Sequence, residues 1–544
     1  MSSIDRRQFL QTGVAGSVGL AAGRVAAGDA AASGQASLPA EVMRFDLQEA
    51  TLADLQKKMQ TGEESARSLV EKYRRRIGAL DKQGPALHAV IELNPEADAI
   101  AASLDAERAS QGPRGPLHGI PVLIKDNIGT ADRMTTTAGS LALEGSTPSR
   151  DGFVARRLRE AGAIILGKTN LSEWANFRST RSSSGWSGRG GQAKNPYALD
   201  RNPSGSSSGT GVAVAANCAA VGIGTETDGS IVSPSNNCGL VGVKPTVGLV
   251  SRAGIIPISH SQDTAGPMTR TVTDAAILLG ALVGADPDDR VTVAGAAKGR
   301  RDYTTFLDPN ALKGARIGVP RKACFGMSAP ADRLVEEAIA VLRTLGAVIV
   351  DPVDLPSASK VSDSEFTVMI CEFKADLNAY LAGLGPKAPA HSLQDLIAFN
   401  ERHKELEMPY FGQEIFLQAE KAARLTDPKY KAALANGYQW TRTLGIDAVA
   451  AKYRLDAFVA PTSGPASLTD LVNGDYGPNG CSTFAAVAGY PHVTVPAGFA
   501  FGLPVGLSFF GPAFTEGKLL GYAFAFEQAT RHRKPPRFLP TVEL

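Results

Sequence analysis

Lys125 is the first residue whose type and position could do chemistry. It follows the apolar run Val122-Leu123-Ile124 directly, so its amine is expected to lie in a desolvated place. Burial disfavours the ammonium form and lowers the pKa of a lysine, and a neutral lysine can act as a general base. Taken alone, however, a lysine at the end of a strand more often reaches solvent or pairs with a neighbour such as Asp126.

The second feature is a serine cluster between glycines, Gly205-Ser206-Ser207-Ser208-Gly209. Glycines permit tight backbone, and N–H groups at the start of a following helix can hold negative charge. The segment also fits the G-x-S-x-G nucleophile elbow of α/β-hydrolases with Ser207 at its centre. That elbow needs a strand directly before it, whereas residues 195–204 are typical of a loop. An esterase using Ser207 stays an alternative, because several histidines could serve as its base: His391, His403, His492 and His532.

The third feature is the turn Gly224-Thr-Glu-Thr-Asp-Gly-Ser230, which follows a predicted strand. Successive backbone N–H groups in a tight turn can point at one spot and form an oxyanion hole. Taken alone, the segment is more typical of an ordinary turn that contains a serine.

Jointly, the three features resemble the amidase signature family, and the resemblance runs from Gly119 through about Gly511. Ser230 lies 24 positions after Ser206, and the resemblance therefore assigns Ser206, rather than either adjacent serine, as the bridging residue. The segments that carry the resemblance are Gly119–Asn127, Gly167–Glu173, Gly205–Lys244, Asp263–Met268 and Ala488–Pro496.

This resemblance implies a mechanism without a cofactor or a metal. Ser230 would be the nucleophile, and Ser206, on a cis peptide, would bridge it to a neutral Lys125. The oxyanion would be held by four backbone N–H groups, those of Thr227, Asp228, Gly229 and Ser230.

Within the family, the motifs are most similar to those of bacterial enzymes that deamidate C-terminal peptide amides. The sequence departs from the usual pattern at Ser204, Asp228 and Val232, where the family commonly has glycine, glycine and arginine. Other small or acyl amides are therefore an alternative substrate class. An exported binding protein without catalytic activity is the alternative of a different kind, and an amidotransferase subunit is disfavoured by the export signal described below.

The elements around these motifs predict an α/β fold. Residues 45–80 have helical spacing of apolar residues, with Thr51 and Ser65 as N-caps. Short apolar runs alternate with helical segments, which is typical of a sheet covered on both faces. We expect a single large domain, residues 40–544, with a central mixed β-sheet. The other predicted elements are strands at Gly119–Lys125, Ala163–Gly167, Val221–Thr225, Ala315–Val319, Ala347–Val350, Ala457–Pro461 and Val493–Pro496, helices at Val154–Ala161, Val212–Ala220 and 331–345, a long loop at 179–211, and a helical cap at 390–453.

The first residues are typical of a targeting signal rather than of a fold. Arg6-Arg7 precede a weakly apolar Gly/Ala-rich run and small-residue cleavage sites, the pattern of a twin-arginine export signal. We therefore expect residues 1–33 to be removed and the mature protein to be periplasmic or secreted.

Composition limits the partners. The net charge is +2, with no long basic block, so neither nucleic acid nor a membrane surface is indicated. No run of about 18 charge-free apolar residues predicts a membrane span. The 5 cysteines are widely spaced, which signals neither a disulfide framework nor a zinc site. The expected partner is a small-molecule or peptide amide, bound by a monomer or homodimer.

Overall fold

The fold is built on one mixed sheet of 11 strands. The computed structural model describes residues 44–356, 359–476 and 480–543. The predicted export signal, residues 1–33, lies outside the described residues and stays a prediction. The prediction of a single large α/β domain with a central mixed sheet flanked by helices is confirmed.

The sheet order is β1-β3-β2-β6-β8-β7-β12-β13-β11-β9-β10, and two short strands, β4 and β5, form a separate hairpin. Parallel pairs occur near both ends of the sheet, and antiparallel pairs fill its centre. The strands are β1 (Val90–Leu93), β2 (Pro121–Lys125), β3 (Ile164–Thr169), β4 (Trp186–Ser187), β5 (Gly191–Gln192), β6 (Val221–Glu226), β7 (Val241–Lys244), β8 (Thr264–Thr269), β9 (Arg316–Gly318), β10 (Val348–Val350), β11 (Ala457–Pro461), β12 (His492–Ala500) and β13 (Leu503–Phe510).

The site depends on β2, β3 and β6, which lie side by side and run parallel. All three are buried along their whole length, as expected for apolar strands covered on both faces. Parallel strands end at the same edge of a sheet, so the residues at the ends of β2 and β6 come together there.

The helices are α1 (Leu52–Thr61), α2 (Ala66–Ile77), α3 (Ala97–Gln111), α4 (Phe153–Glu160), α5 (Ser208–Ala215), α6 (Val232–Asn237), α7 (Val272–Leu282), α8 (Val291–Ala296), α9 (Arg321–Cys324), α10 (Ala329–Thr344), α11 (Ser359–Gly383), α12 (Leu393–Arg402), α13 (Lys404–Glu407), α14 (Glu414–Glu420), α15 (Pro428–Tyr438), α16 (Asp447–Tyr453), α17 (Thr483–Ala488) and α18 (Glu516–Thr530). Thr51 and Ser65 cap α1 and α2 as predicted, each in a capping box.

One predicted helix is displaced in the structure. The sequence predicted a helix at Val212–Ala220, whereas α5 spans Ser208–Ala215. Its Gly209 packs against backbone, and a Cβ there would lie 2.3 Å from the Ala89 carbonyl oxygen. The Ser/Gly run looks like a loop in the sequence, but it forms a helix because a small-residue face can approach the sheet closely.

The predicted helical cap forms its own apolar cluster. Leu393 and Phe416 from two cap helices, together with Phe373 of α11, pack with Trp174 and Ile256, which belong to loops beside the sheet. The cap therefore holds those loops in place over the strand ends.

Two further sequence predictions concern covalent links and membranes. All 5 cysteines are buried and free, in accord with the absence of a disulfide signal. No helix within the described ranges combines the length and the apolar character that a membrane crossing requires.

Candidate active site

Lys125, the last residue of β2, is fully buried and faces two hydroxyl groups. Its Nζ lies 2.7 Å from Ser206 Oγ and donates to Thr225 Oγ1 at 2.9 Å. It also donates to the Thr225 carbonyl oxygen at 3.3 Å. Because Thr225 belongs to the neighbouring strand β6, the parallel pairing of β2 and β6 places this contact.

Burial dominates the electrostatics of this lysine. Loss of hydration lowers the pKa of Lys125 to about 7, although the negative charges of Asp263 and Glu226 act in the opposite direction. Close to neutral pH, a substantial fraction of the amine is therefore unprotonated, which is the form that a base requires.

The three adjacent serines have different surroundings. Only Ser206 contacts Lys125 Nζ, and the Gly205–Ser206 peptide bond is cis. Ser207 Oγ donates to the Thr225 carbonyl oxygen at 3.0 Å and accepts from the Thr225 N–H at 3.1 Å. Ser208 Oγ donates to the Ser204 carbonyl oxygen at 2.6 Å. The structure therefore brings together Ser206 and Lys125, two of the residues that the family resemblance assigned to the site.

The alternative prediction of an α/β-hydrolase nucleophile elbow at Ser207 is wrong. No strand precedes Ser207, since residues 202–207 form a loop and bends. The Ser207 hydroxyl serves the backbone of Thr225, and no histidine within residues 44–356, 359–476 and 480–543 hydrogen-bonds to it. His492, one of the bases considered, is buried and instead contacts Ser508 Oγ at 2.6 Å.

Ser230 lies at the end of a tight loop between β6 and α6. Glu226 closes this loop, because its Oε2 accepts from the N–H groups of Ile231 (2.8 Å) and Val232 (3.1 Å). Gly229 has a φ of 78°, in the left-handed region that favours glycine. The Ser230 carbonyl oxygen accepts from Ser207 N–H at 3.1 Å, which ties the loop to the serine cluster.

The N–H groups of the predicted oxyanion set are available to a ligand. Among the described residues, none of the N–H groups of Thr227, Asp228, Gly229 and Ser230 donates to a protein acceptor. Ser230 Oγ likewise has no hydrogen-bond partner in the described part of the chain, and Ser230 is 8% exposed. The loop thus offers unpaired donors next to a free hydroxyl.

Sequence reasoning assigned no role to three residues that shape this site. Thr225 receives hydrogen bonds from Lys125 and from Asn127 Nδ2, the latter at 2.9 Å. Asp263 accepts from Thr227 Oγ1 at 2.6 Å, which joins the β6 loop to β8. All three lie within motifs that carried the family resemblance, so position in a motif was the available signal, but their contacts depend on strand pairing.

Cavities flank the nucleophile loop on two sides. A small cavity beside Ser206 is lined by Asn127, Thr225 and Asp263 together with apolar side chains of the segment 255–258. A larger cavity, about 390 Å³, opens beside Asp228 and Gly229. The small cavity, about 10 Å³, has room for about one water molecule. The larger cavity has room for part of a substrate whose reacting group lies at Ser230.

A group of potential metal ligands lies near the site. His260, Glu372 and Asp376 have ligand atoms within 4.8 Å of one another. These atoms already serve protein partners, since Glu372 accepts from Ser259 Oγ, Ser261 Oγ and Tyr430 Oη, and His260 Nδ1 lies 2.8 Å from Asp376. The group therefore acts as a hydrogen-bonded link between a site loop and α11.

Comparison with known proteins places this geometry in context. The family model described as Amidase matches residues 68–520. A probable amidase of Arabidopsis thaliana is 45% identical over 504 residues, covering 91% of this chain and 93% of the relative. The crystal structure of an amidase family protein from Bacillus anthracis is 35% identical, with a TM-score of 0.82, covering 92% of this chain and 95% of that one. The crystal structure of native peptide amidase from Stenotrophomonas maltophilia is 51% identical, with a TM-score of 0.86, covering 91% of this chain and 100% of that one.

Proposed function

The chain belongs to the amidase signature family and is an amide-hydrolysing enzyme, and from this premise we propose that it acts through Ser230, Ser206 and Lys125. The observation that carries the proposal is the 2.7 Å contact between Ser206 Oγ and the fully buried Lys125 Nζ. A buried amine beside a hydroxyl can remove its proton only if the amine is neutral, and burial favours the neutral form.

The hydrogen bonds of Lys125 support a base rather than a donor role toward Ser206. A neutral amine has two hydrogens and one lone pair, and Thr225 offers two acceptors, its carbonyl oxygen and its Oγ1. If both hydrogens point to Thr225, the lone pair is left to accept the Ser206 hydroxyl proton.

The proposed reaction runs through an acyl-enzyme. As Ser230 Oγ attacks the amide carbon, its proton passes to Ser206, whose own proton passes to Lys125. The negative charge that forms on the carbonyl oxygen is held by the unpaired N–H groups of Thr227, Asp228, Gly229 and Ser230. Ser206 then returns a proton to the leaving ammonia, and water hydrolyses the ester at Ser230 by the same route in reverse.

We further propose that the substrates are C-terminal peptide amides, which are converted to the free acid and ammonia. The support is the likeness, over almost the whole chain, to a solved peptide amidase. Small or fatty acyl amides are the alternative within the same reaction class.

Ammonia release from a panel of amides tests this proposal. The panel contains N-acetylated dipeptide amides, free amino-acid amides, a fatty amide, and a peptide with an internal amide bond only. We expect the largest kcat/KM for the peptide amides. For the peptide with an internal bond, an assay of new amino termini replaces ammonia release, and we expect no cleavage. Preference for the fatty amide would shift the substrate assignment, and labelling of Ser230→Ala by a fluorophosphonate at the wild-type rate would remove Ser230 as nucleophile.

The place of action follows from the N-terminal pattern. We propose export by the twin-arginine route, because Arg6-Arg7 precede a soft apolar run. Expression of the full chain in a bacterium, followed by fractionation, should give activity outside the cytoplasm. An Arg6→Lys, Arg7→Lys double variant should retain it inside.

A further inference from the structure

The larger cavity beside the nucleophile loop is lined by acidic side chains. It is polar and holds about 390 Å³, and it reaches from Asp228 and Gly229 towards the exposed Tyr476. Three carboxyl side chains line it, those of Asp228, Glu365 and Asp475. Among its described lining residues there is no lysine, arginine or histidine. We call it the acidic cavity.

The carboxyl groups are held firmly but have no cationic partner in the described structure. Asp228 accepts from Ser482 Oγ and, at 2.7 Å, from Thr483 Oγ1 at the start of α17. Glu365 on α11 accepts from Gln262 Nε2 at 2.9 Å and lies against Asp228. Asp475 accepts from Ser184 N–H at 2.9 Å. Neutral donors thus fix each carboxyl in position, and no cationic side chain of the described residues pairs with any of them.

The close approach of Asp228 and Glu365 has an electrostatic consequence. Burial, together with the neighbouring Asp228 carboxylate, raises the pKa of Glu365 well above its ordinary range. A positive charge placed in the cavity would favour the charged form of Glu365 and would be attracted by the buried carboxyl groups.

The position of the cavity says which molecule would bring the cation. The acidic cavity opens directly on Gly229, whose unpaired N–H belongs to the proposed oxyanion set. A substrate whose amide carbonyl oxygen lies at this N–H group could extend into the cavity. We propose that the acidic cavity binds a positively charged group of the amide substrate, so that Glu365 determines a preference for cationic amides. This inference rests on the proposed function.

In an amino-acid or peptide amide, the positive charge can lie on a side-chain ammonium or on the free α-ammonium. Three compounds show which of the two the cavity binds. N-acetyl-lysinamide and N-acetyl-norleucinamide have side chains of similar length and differ in the side-chain ammonium. Norleucinamide and N-acetyl-norleucinamide differ in the free α-ammonium. Ammonia release at neutral pH gives kcat/KM for each compound with wild-type protein, with Glu365→Gln, and with the exposed control Glu144→Gln.

We expect at least one cationic amide to exceed its neutral partner by about tenfold or more, as for a hydrogen bond to a charged group. Glu365→Gln should reduce that ratio towards one, with circular dichroism as the check that the variant is folded. Glu365→Asp, which keeps the charge, should retain part of the preference, and Glu144→Gln should retain all of it.

Equal rates for cationic and neutral amides in the wild type would overturn the inference and leave the proposed function intact. An unchanged preference in Glu365→Gln would do the same. Failure to hydrolyse all three amides and an N-acetylated dipeptide amide as well would instead contradict the proposed function on which the inference rests.

Discussion

Two neighbouring strands each carry a buried lysine, and the two lysines behave differently. Lys125 ends β2, and Lys168 lies near the end of β3, in parallel register opposite Ile124. Both side chains are fully buried. Burial lowers the pKa of Lys125 to about 7 and that of Lys168 to about 8.

Their partners explain the difference. Lys168 Nζ donates to the Ile128 carbonyl oxygen at 2.6 Å and to Thr136 Oγ1 at 2.8 Å, and it lies near the Asp126 carboxyl. Its contacts therefore connect the segments that follow β2. Lys125 faces Ser206 and Thr225, and Ser206 lines a cavity. Burial can make a lysine weakly basic, but only a hydroxyl next to substrate space makes such a lysine useful as a base.

The largest expected effect separates these lysines directly. Lys125→Met should lower kcat/KM for amide hydrolysis by about 10⁴-fold, because no other base of the described residues contacts Ser206. The melting temperature should stay within a few degrees of the wild type, which corresponds to a change of about 1 kcal/mol in the free energy of unfolding. The reason is that the methionine side chain fills a similar volume to the desolvated lysine. Ammonia release and thermal unfolding measure the two quantities. Retention of a tenth of the wild-type activity would contradict the base assignment.

A smaller loss is expected at the bridging serine. Ser206→Ala should reduce kcat by about 10³-fold, because the proton path from Ser230 to Lys125 is broken. Ser207→Ala is the matched control, and it should keep most of the activity while losing about 1 kcal/mol of stability from its bonds to Thr225. If Ser207→Ala is the inactive variant and Ser206→Ala is active, the assignment of the two serines is reversed.

The pH dependence of kcat/KM tests the lowered pKa of Lys125. The active form of Lys125 is the neutral one, so protonation at low pH removes the base. Because its pKa is about 7, kcat/KM should fall by about tenfold per pH unit below that value. Initial rates between pH 5 and 9 give the profile, with circular dichroism as a control for folding. A rate that stays constant down to about pH 5 would exclude a neutral lysine with this pKa.

The smallest effect on activity is expected at the second lysine. Lys168→Met leaves the Ile128 carbonyl oxygen and Thr136 without their donor and removes the positive charge near Asp126. We expect a loss of about 3 kcal/mol in the free energy of unfolding. The kcat of the folded fraction should stay within about threefold of the wild type. Denaturant unfolding and active-site titration measure these quantities, and a catalytic loss as large as that of Lys125→Met would end the distinction.

Several of the strands and helices around the site could be predicted from the sequence. Strand β2 was predicted because Val122, Leu123 and Ile124 form a continuous apolar run, and α1 and α2 because caps precede periodic apolar residues. Local sequence patterns are enough to predict a helix or strand where the residues of that segment themselves favour one backbone conformation. The start of α5 was missed, because its Ser/Gly residues are helical only through their packing against β-strand backbone.

The sequence by itself determined the residue types and the spacing of the motifs, and with them the family resemblance, which implies Ser206 rather than Ser207 as the bridging serine. The tertiary structure decided which groups meet. Thr225 reaches Lys125 because β2 and β6 are parallel neighbours, and Glu365 reaches the Asp228 loop from a helix more than a hundred residues away. Contacts of that kind depend on burial and strand order, and no short segment of the chain contains that information.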